Sequence, residues 1–117
     1  DRMRAKIEAE APKICAALGV TCAVEPVGHF DPVTFDPVLV DRVRKSAEKL
    51  GYSHRDIISG AGHAACWAAR VAPSTMGMCP CVDGLSHNEA ENISKEWAAA
   101  GADVLFHAVV ETAEIVG

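Results

Sequence analysis

Three short stretches of this chain combine residue types that could do chemistry. The first is Ser59-Gly60-Ala61-Gly62, which follows the apolar pair Ile57-Ile58 and precedes a helical pattern. Its two glycines let the backbone come close to a ligand, and N–H groups at the opening of a helix favour an anion, a carboxylate or a phosphate. The third glycine of a dinucleotide fingerprint is missing. The plain alternative is a tight turn that needs glycine. The second stretch is Asp83-Gly84-Leu85-Ser86-His87-Asn88-Glu89. It leaves an apolar run, where α/β proteins place functional groups. His87 stands among small and polar residues, so its imidazole can be aimed, and imidazole is the commonest protein ligand for zinc-type metals. One histidine makes no metal site, and a surface histidine in a turn is the alternative. The third stretch is Cys79-Pro80-Cys81, with Met76 and Met78 nearby. It invites a soft-metal or redox reading. Structural zinc sites space their paired thiols more widely, and free cysteine also packs well as a small hydrophobe. Of the remaining candidates, His54 is expected in solvent, His107 on a helix surface or satisfied in the core, and Cys66 and Trp67 in the core. His29 stays ambiguous.

These stretches must be carried by secondary structure. Met3, Ile7, Ile14 and Leu18 recur at the helical period, with Pro12 as a potential kink and Gly19 as the stop. Residues 20–27 alternate β-branched side chains and predict a strand. Asp36 reads as an N-cap with Pro37 in the first helical position. Val40, Val43, Ala47 and Leu50 form the buried stripe of that helix, and Gly51 ends it. Ile57-Ile58 predicts a short buried strand, and residues 63–69 a third helix. Residues 76–82 predict a third strand with Asp83-Gly84 as its exit turn, and residues 94–115 a last helix. Ser94 there lacks the acidic partner of a capping box. The expected fold class is therefore α/β, with helices packed on a small sheet in the order α-β-α-β-α-β-α. The Pro-rich stretch His29–Pro37 is expected to separate two lobes.

Composition bounds the function. A chain of 117 residues has room for one core, since domains commonly run ~100–150 residues. Half of the residues are hydrophobic and 23% charged, which excludes a disordered or fibrous chain. The net charge of −5 leaves no cationic excess for nucleic acid. No apolar run approaches the ~18–20 residues of a membrane span, and no signal peptide is read at the start. Five cysteines cannot all pair within one chain, so reduced thiols in a cytoplasmic protein are expected. The sequence opens at Asp1 already inside a helical pattern, which reads as a cut end.

The two loops together carry a resemblance. Ser59-Gly60-Ala61-Gly62-His63, Arg70-Val71-Ala72-Pro73, Met76 and Asp83-Gly84-Leu85-Ser86-His87-Asn88-Glu89-Ala90-Glu91 resemble the C-terminal portion of the N-carbamoyl-L-amino-acid hydrolase family. That family includes allantoate amidohydrolases and β-ureidopropionases, in the dinuclear-zinc amidohydrolase and aminoacylase group. Its pattern reads S-G-A-G-H-D-A, then P-x-x-M, then G-[IL]-S-H-[NS]-x-x-E. The agreement extends through Phe35-Asp36-Pro37, Leu50-Gly51 and Gly101–Leu105.

The resemblance implies hydrolysis of the carbamoyl or ureido C–N bond of N-carbamoyl-L-amino acids or related ureido acids. It implies two divalent ions in the intact enzyme (zinc, or manganese, cobalt or nickel), with His87 as one ligand. Gly60, Ala61 and Gly62 would line the substrate pocket. Residues 1–30 would be the end of a lid or dimerisation domain, and residues 31–117 the C-terminal part of an aminopeptidase-like catalytic domain. A homo-oligomer is expected, without nucleic-acid or membrane partners. The remaining ligands and the general base would lie outside these residues, so the chain alone is expected to hold no metal and to be inactive. Two departures stand out. Ala64 replaces the family's Asp, and Gly77–Cys81 replaces a bulkier apolar strand. The alternatives are a non-enzymatic α/β module that keeps an anion-binding glycine loop, and a thiol-based protein built on Cys79 and Cys81.

Overall fold

The computed structural model describes residues 2–113. It contains four α-helices, α1 (Arg2–Ala17), α2 (Pro37–Lys49), α3 (Ala64–Ala68) and α4 (Lys95–Thr112), with a 3-10 turn at Val82–Gly84. The chain divides between Asp31 and Pro32 into two units.

In the first unit α1 runs through Pro12 without ending there. It stops in a Schellman motif: the Val20 N–H donates to the Cys15 carbonyl at 2.9 Å and the Gly19 N–H to that of Ala16 at 3.2 Å. The reversal requires a left-handed residue, and Gly19 supplies φ +69° without steric cost. Pairs Arg4–Glu8 and Glu10–Lys13 lie along the polar side. The apolar stripe of Met3, Ile7, Ile14 and Leu18 stays exposed.

The second unit is organised by α2 packed on α4. Asp36 caps α2 as its sequence predicts: one carboxylate oxygen accepts from the N–H groups of Val38 and Leu39, at 3.0 and 2.9 Å. Gly51, at φ +75°, ends the helix in a second Schellman motif, with the Tyr52 N–H on the Ala47 carbonyl. Small residues let the two helices approach: Ala47 and Ala108 are buried, and Ser46 is fully buried with no partner for its hydroxyl among the described residues. Polar ties frame this contact. Tyr52 donates to Asp103 at 3.0 Å, Lys49 pairs with Glu111, and the Arg42 guanidinium donates to the Glu111 carbonyl. Arg44 forks between Asp41 at 3.0 Å and Asp56 at 2.8 Å. Residues 76–82 run past α4 at Gly101, where a side chain would collide with the Cys79 sulfur. Ser94 does cap α4, accepting from the Trp97 N–H at 3.1 Å.

The expected sheet and the alternating order are corrected. Among the described residues there is no strand: residues 20–27, 57–58 and 76–82 all lie outside regular structure. A strand exists only through a ladder to a second strand. Here the isolated bonds from Asp36 to Ser74 and from Val82 to Asn92 are single links. Alternation marks a segment that would suit a pleated face without supplying its partner. Ile58, expected to be buried, is fully exposed. The end of the predicted last helix, residues 114–115, lies outside the described residues.

Candidate active-site loops

The glycine loop is closed on itself. Ser59 Oγ lies 2.7 Å from His63 Nε2 and accepts the Ala61 N–H at 3.2 Å. Ser59 and His63 are half-buried, while Gly60, Ala61 and Gly62 are exposed. His63 occupies the N-cap position of α3, yet its side chain makes no capping bond. The imidazole turns back across the loop instead. The helix that follows has only five residues, so its dipole is a minor contributor here. Ala64, where the family pattern has Asp, is exposed in its first turn.

The His87 loop is pinned by one carboxylate. The His87 N–H donates to Glu91 Oε2 at 2.9 Å, and the Cys81 thiol donates to Glu91 Oε1 at 3.6 Å. Asn88 Oδ1 accepts the Ala90 N–H, and the Asn88 carbonyl accepts the Glu91 N–H, both at 2.9 Å. His87 itself has φ +56°, with Asp83 at +55° and Gly84 at +67° upstream. A left-handed backbone costs a non-glycine residue roughly 1–2 kcal/mol, so these bonds hold His87 in a shape it would not choose alone. Its ring makes no hydrogen bond among the described residues and is exposed. Sequence spacing marked the histidine but not this conformation or the role of Glu91. The dipeptide Asp83-Gly84 was the available signal for the turn.

No hydrogen bond or ion pair among the described residues joins the two loops, and the sheet expected to bring them side by side is absent. Nor does any group of three His, Cys, Asp or Glu residues among them stand ready to hold a metal ion. His87 suits the role of a single donor, and these residues do not complete a ligand set. Two open grooves lie elsewhere, one between α2 and α4 beside Leu39 and Leu105, the other beside Ile7 and Val27.

The thiols are occupied by packing and hydrogen bonding. Cys79 fits against Gly101, whereas Cys81 faces Glu91. Burial first, then the bond and charge of Glu91, push the Cys81 thiol above its ordinary pKa, which disfavours a thiolate. All five cysteines are free thiols. The other histidines have their own neighbours. His29 pairs with Asp31 at 3.0 Å, and His54 meets the Tyr52 carbonyl and Glu48. His107 is half-buried with its ring edge-to-face on Phe106. Trp67, expected in the core, is half-exposed beneath the Arg70 guanidinium at 4.0 Å.

Comparison with known proteins adds a lineage to this geometry. The sequence pattern of peptidase family M20/M25/M40 matches residues 4–111. An N-carbamoyl-L-amino-acid amidohydrolase of Rhizobium meliloti is 78% identical over 116 residues, covering 99% of this chain and 28% of that protein. Among solved structures, an amidase of the hydantoinase/carbamoylase family from Burkholderia vietnamiensis superposes with a TM-score of 0.86 at 46% identity. That match covers 98% of this chain and 28% of the other. A putative amidohydrolase/peptidase from Burkholderia cenocepacia gives 0.73 at 51% identity, covering 96% and 27%. The chain thus spans little more than a quarter of the length of these proteins.

Proposed function

The chain belongs to peptidase family M20/M25/M40, and from that membership we propose that it forms the C-terminal part of a metal-dependent amidohydrolase acting on N-carbamoyl-L-amino acids or related ureido acids. The observation that carries this reading is the high identity, along almost the whole chain, to the Rhizobium meliloti enzyme. Residues 1–30 then end a lid or dimerisation domain, and residues 31–117 close the catalytic domain. In this reading the protein works as a homo-oligomer in the cytoplasm. No helix among the described residues is long and apolar enough to cross a membrane.

In this reading His87 contributes one imidazole to the metal centre. Such a centre, when filled, supplies a Lewis acid for the scissile carbonyl and a nucleophilic water of lowered pKa. The work of this chain is to aim the donor. Glu91 holds the His87 backbone, which leaves the ring free to point into a cleft. The substrate carboxylate meets the glycine loop. The Ala61 amide is already committed to Ser59, so the anion is received by the glycine amides beside it.

Replacing His87 with Ala in the full-length enzyme tests the ligand assignment. The expected result is loss of one metal equivalent and of the rate, with the fold intact by circular dichroism. Unchanged metal stoichiometry together with an unchanged rate would return His87 to an ordinary turn residue.

A further inference from the structure

We propose that Ser59 and His63 are positioning residues that set the shape of the glycine loop and, through it, selectivity for a substrate that carries a carboxylate. This rests on the reading that places the substrate carboxylate at Gly60–Gly62. The two side chains bridge the ends of the loop at 2.7 Å, and the same serine oxygen draws in the Ala61 N–H at 3.2 Å. The serine oxygen accepts from Ala61 and shares a hydrogen bond with Nε2, donating to it when the ring proton sits on Nδ1 and accepting from it through its second lone pair in the other tautomer. His63 gives up the cap of its own helix to make this bridge. Loops with two glycines are otherwise conformationally loose, and an unbraced loop would lose entropy on meeting an anion. The bridge removes that loss beforehand and turns the Ala61 amide inward, away from the ligand.

The test uses the metal-loaded full-length enzyme with two probes, an N-carbamoyl-L-amino acid and its neutral carboxamide. Ser59→Ala is expected to raise KM for the carboxylate probe roughly three- to tenfold, the value of one hydrogen bond, with kcat held within about twofold. The carboxamide should show little change. Ser59→Thr keeps the hydroxyl and should restore KM. His63→Gln keeps an acceptor near the Nε2 position and should lie closer to the parent than His63→Ala. The His63 pair carries the same comparison if Ser59→Ala folds poorly. Gly60→Ala separates this proposal from the reading beneath it, because a side chain there meets no protein atom within 4 Å. If Gly60→Ala leaves KM unchanged, the carboxylate is not at this loop, and the brace loses its purpose with it. If Gly60→Ala raises KM while Ser59→Ala does not, the brace alone is overturned. Equal losses on both probes without rescue by Thr would reduce Ser59 to a general structural role and also overturn it.

Discussion

Gly101 and Cys79 should behave as one unit. Gly101 lies inside α4, where glycine costs about 1 kcal/mol relative to alanine. On propensity alone Gly101→Ala would stabilise the protein. A side chain at 101, however, would run into the Cys79 sulfur, while its separation from the Cys79 Cβ would be an ordinary 4.0 Å. Forcing an atom into an occupied space costs typically 1–3 kcal/mol. The net expectation for Gly101→Ala is destabilisation by about 1 kcal/mol. With Cys79→Ala the obstructing atom is gone, and the same change should stabilise by about 1 kcal/mol, a coupling near 2 kcal/mol. Urea midpoints for the parent, the two single variants and the double variant, at a common m value, give this number directly. Identical shifts from Gly101→Ala in both backgrounds would refute the packing assignment of Cys79 and reopen a chemical role for its thiol.

Ser46→Ala removes, from a helix interior, a fully buried hydroxyl that has no partner among the described residues. It should raise stability by about 1 kcal/mol, read as a higher melting temperature, whereas a clear loss would mean that the hydroxyl is bonded in solution. Asp41 is held below the usual carboxylate range, first by its bond from Lys45, then by that cation's charge and by Arg44. Its contribution is therefore complete above the unfolded pKa, about 3.9, and fades as pH falls through the lower folded value. The stability gap between the parent and Asp41→Asn should narrow only below about pH 4, and a gap that narrows between neutral pH and that point would contradict the assignment. The 117-residue chain by itself should not hydrolyse N-carbamoyl amino acids, even with zinc, manganese or cobalt added. Chelator-sensitive turnover from a homogeneous sample would show that it holds a complete site.

The helices were legible because their signals are local. Asp36-Pro37 opens α2, Gly19 and Gly51 close α1 and α2, and each of these devices acts within a few residues of the chain. Of the stripe expected to be buried, Ala47 is buried and Val40, Val43 and Leu50 are half-buried. The strands were not legible in the same sense. A strand is a relation between two segments, and residues 20–27 or 57–58 carry only one side of it. The site divides along that line too. His87 and the glycines stand out by residue type and motif, whereas the left-handed backbone at His87 and the grip of Glu91 come from bonds across a folded loop. Ser59 and His63 were visible as members of a motif, but their bridge required coordinates.

Arg44 gives the glycine loop a root. Its guanidinium is a rigid planar fork, with one tine on Asp41 of α2 and the other on Asp56, three residues before Ser59. Three extended residues reach only about 10 Å. The segment from Asp56 to Ser59 is therefore a short cantilever bolted to the flank of a packed helix. Asp56 is exposed to solvent, so the bolt is a modest one: it ties the approach to the loop to the flank of α2 without fixing Gly60–Gly62 themselves. A lysine at 44 could press on one aspartate at a time, which would turn the bolt into a pivot.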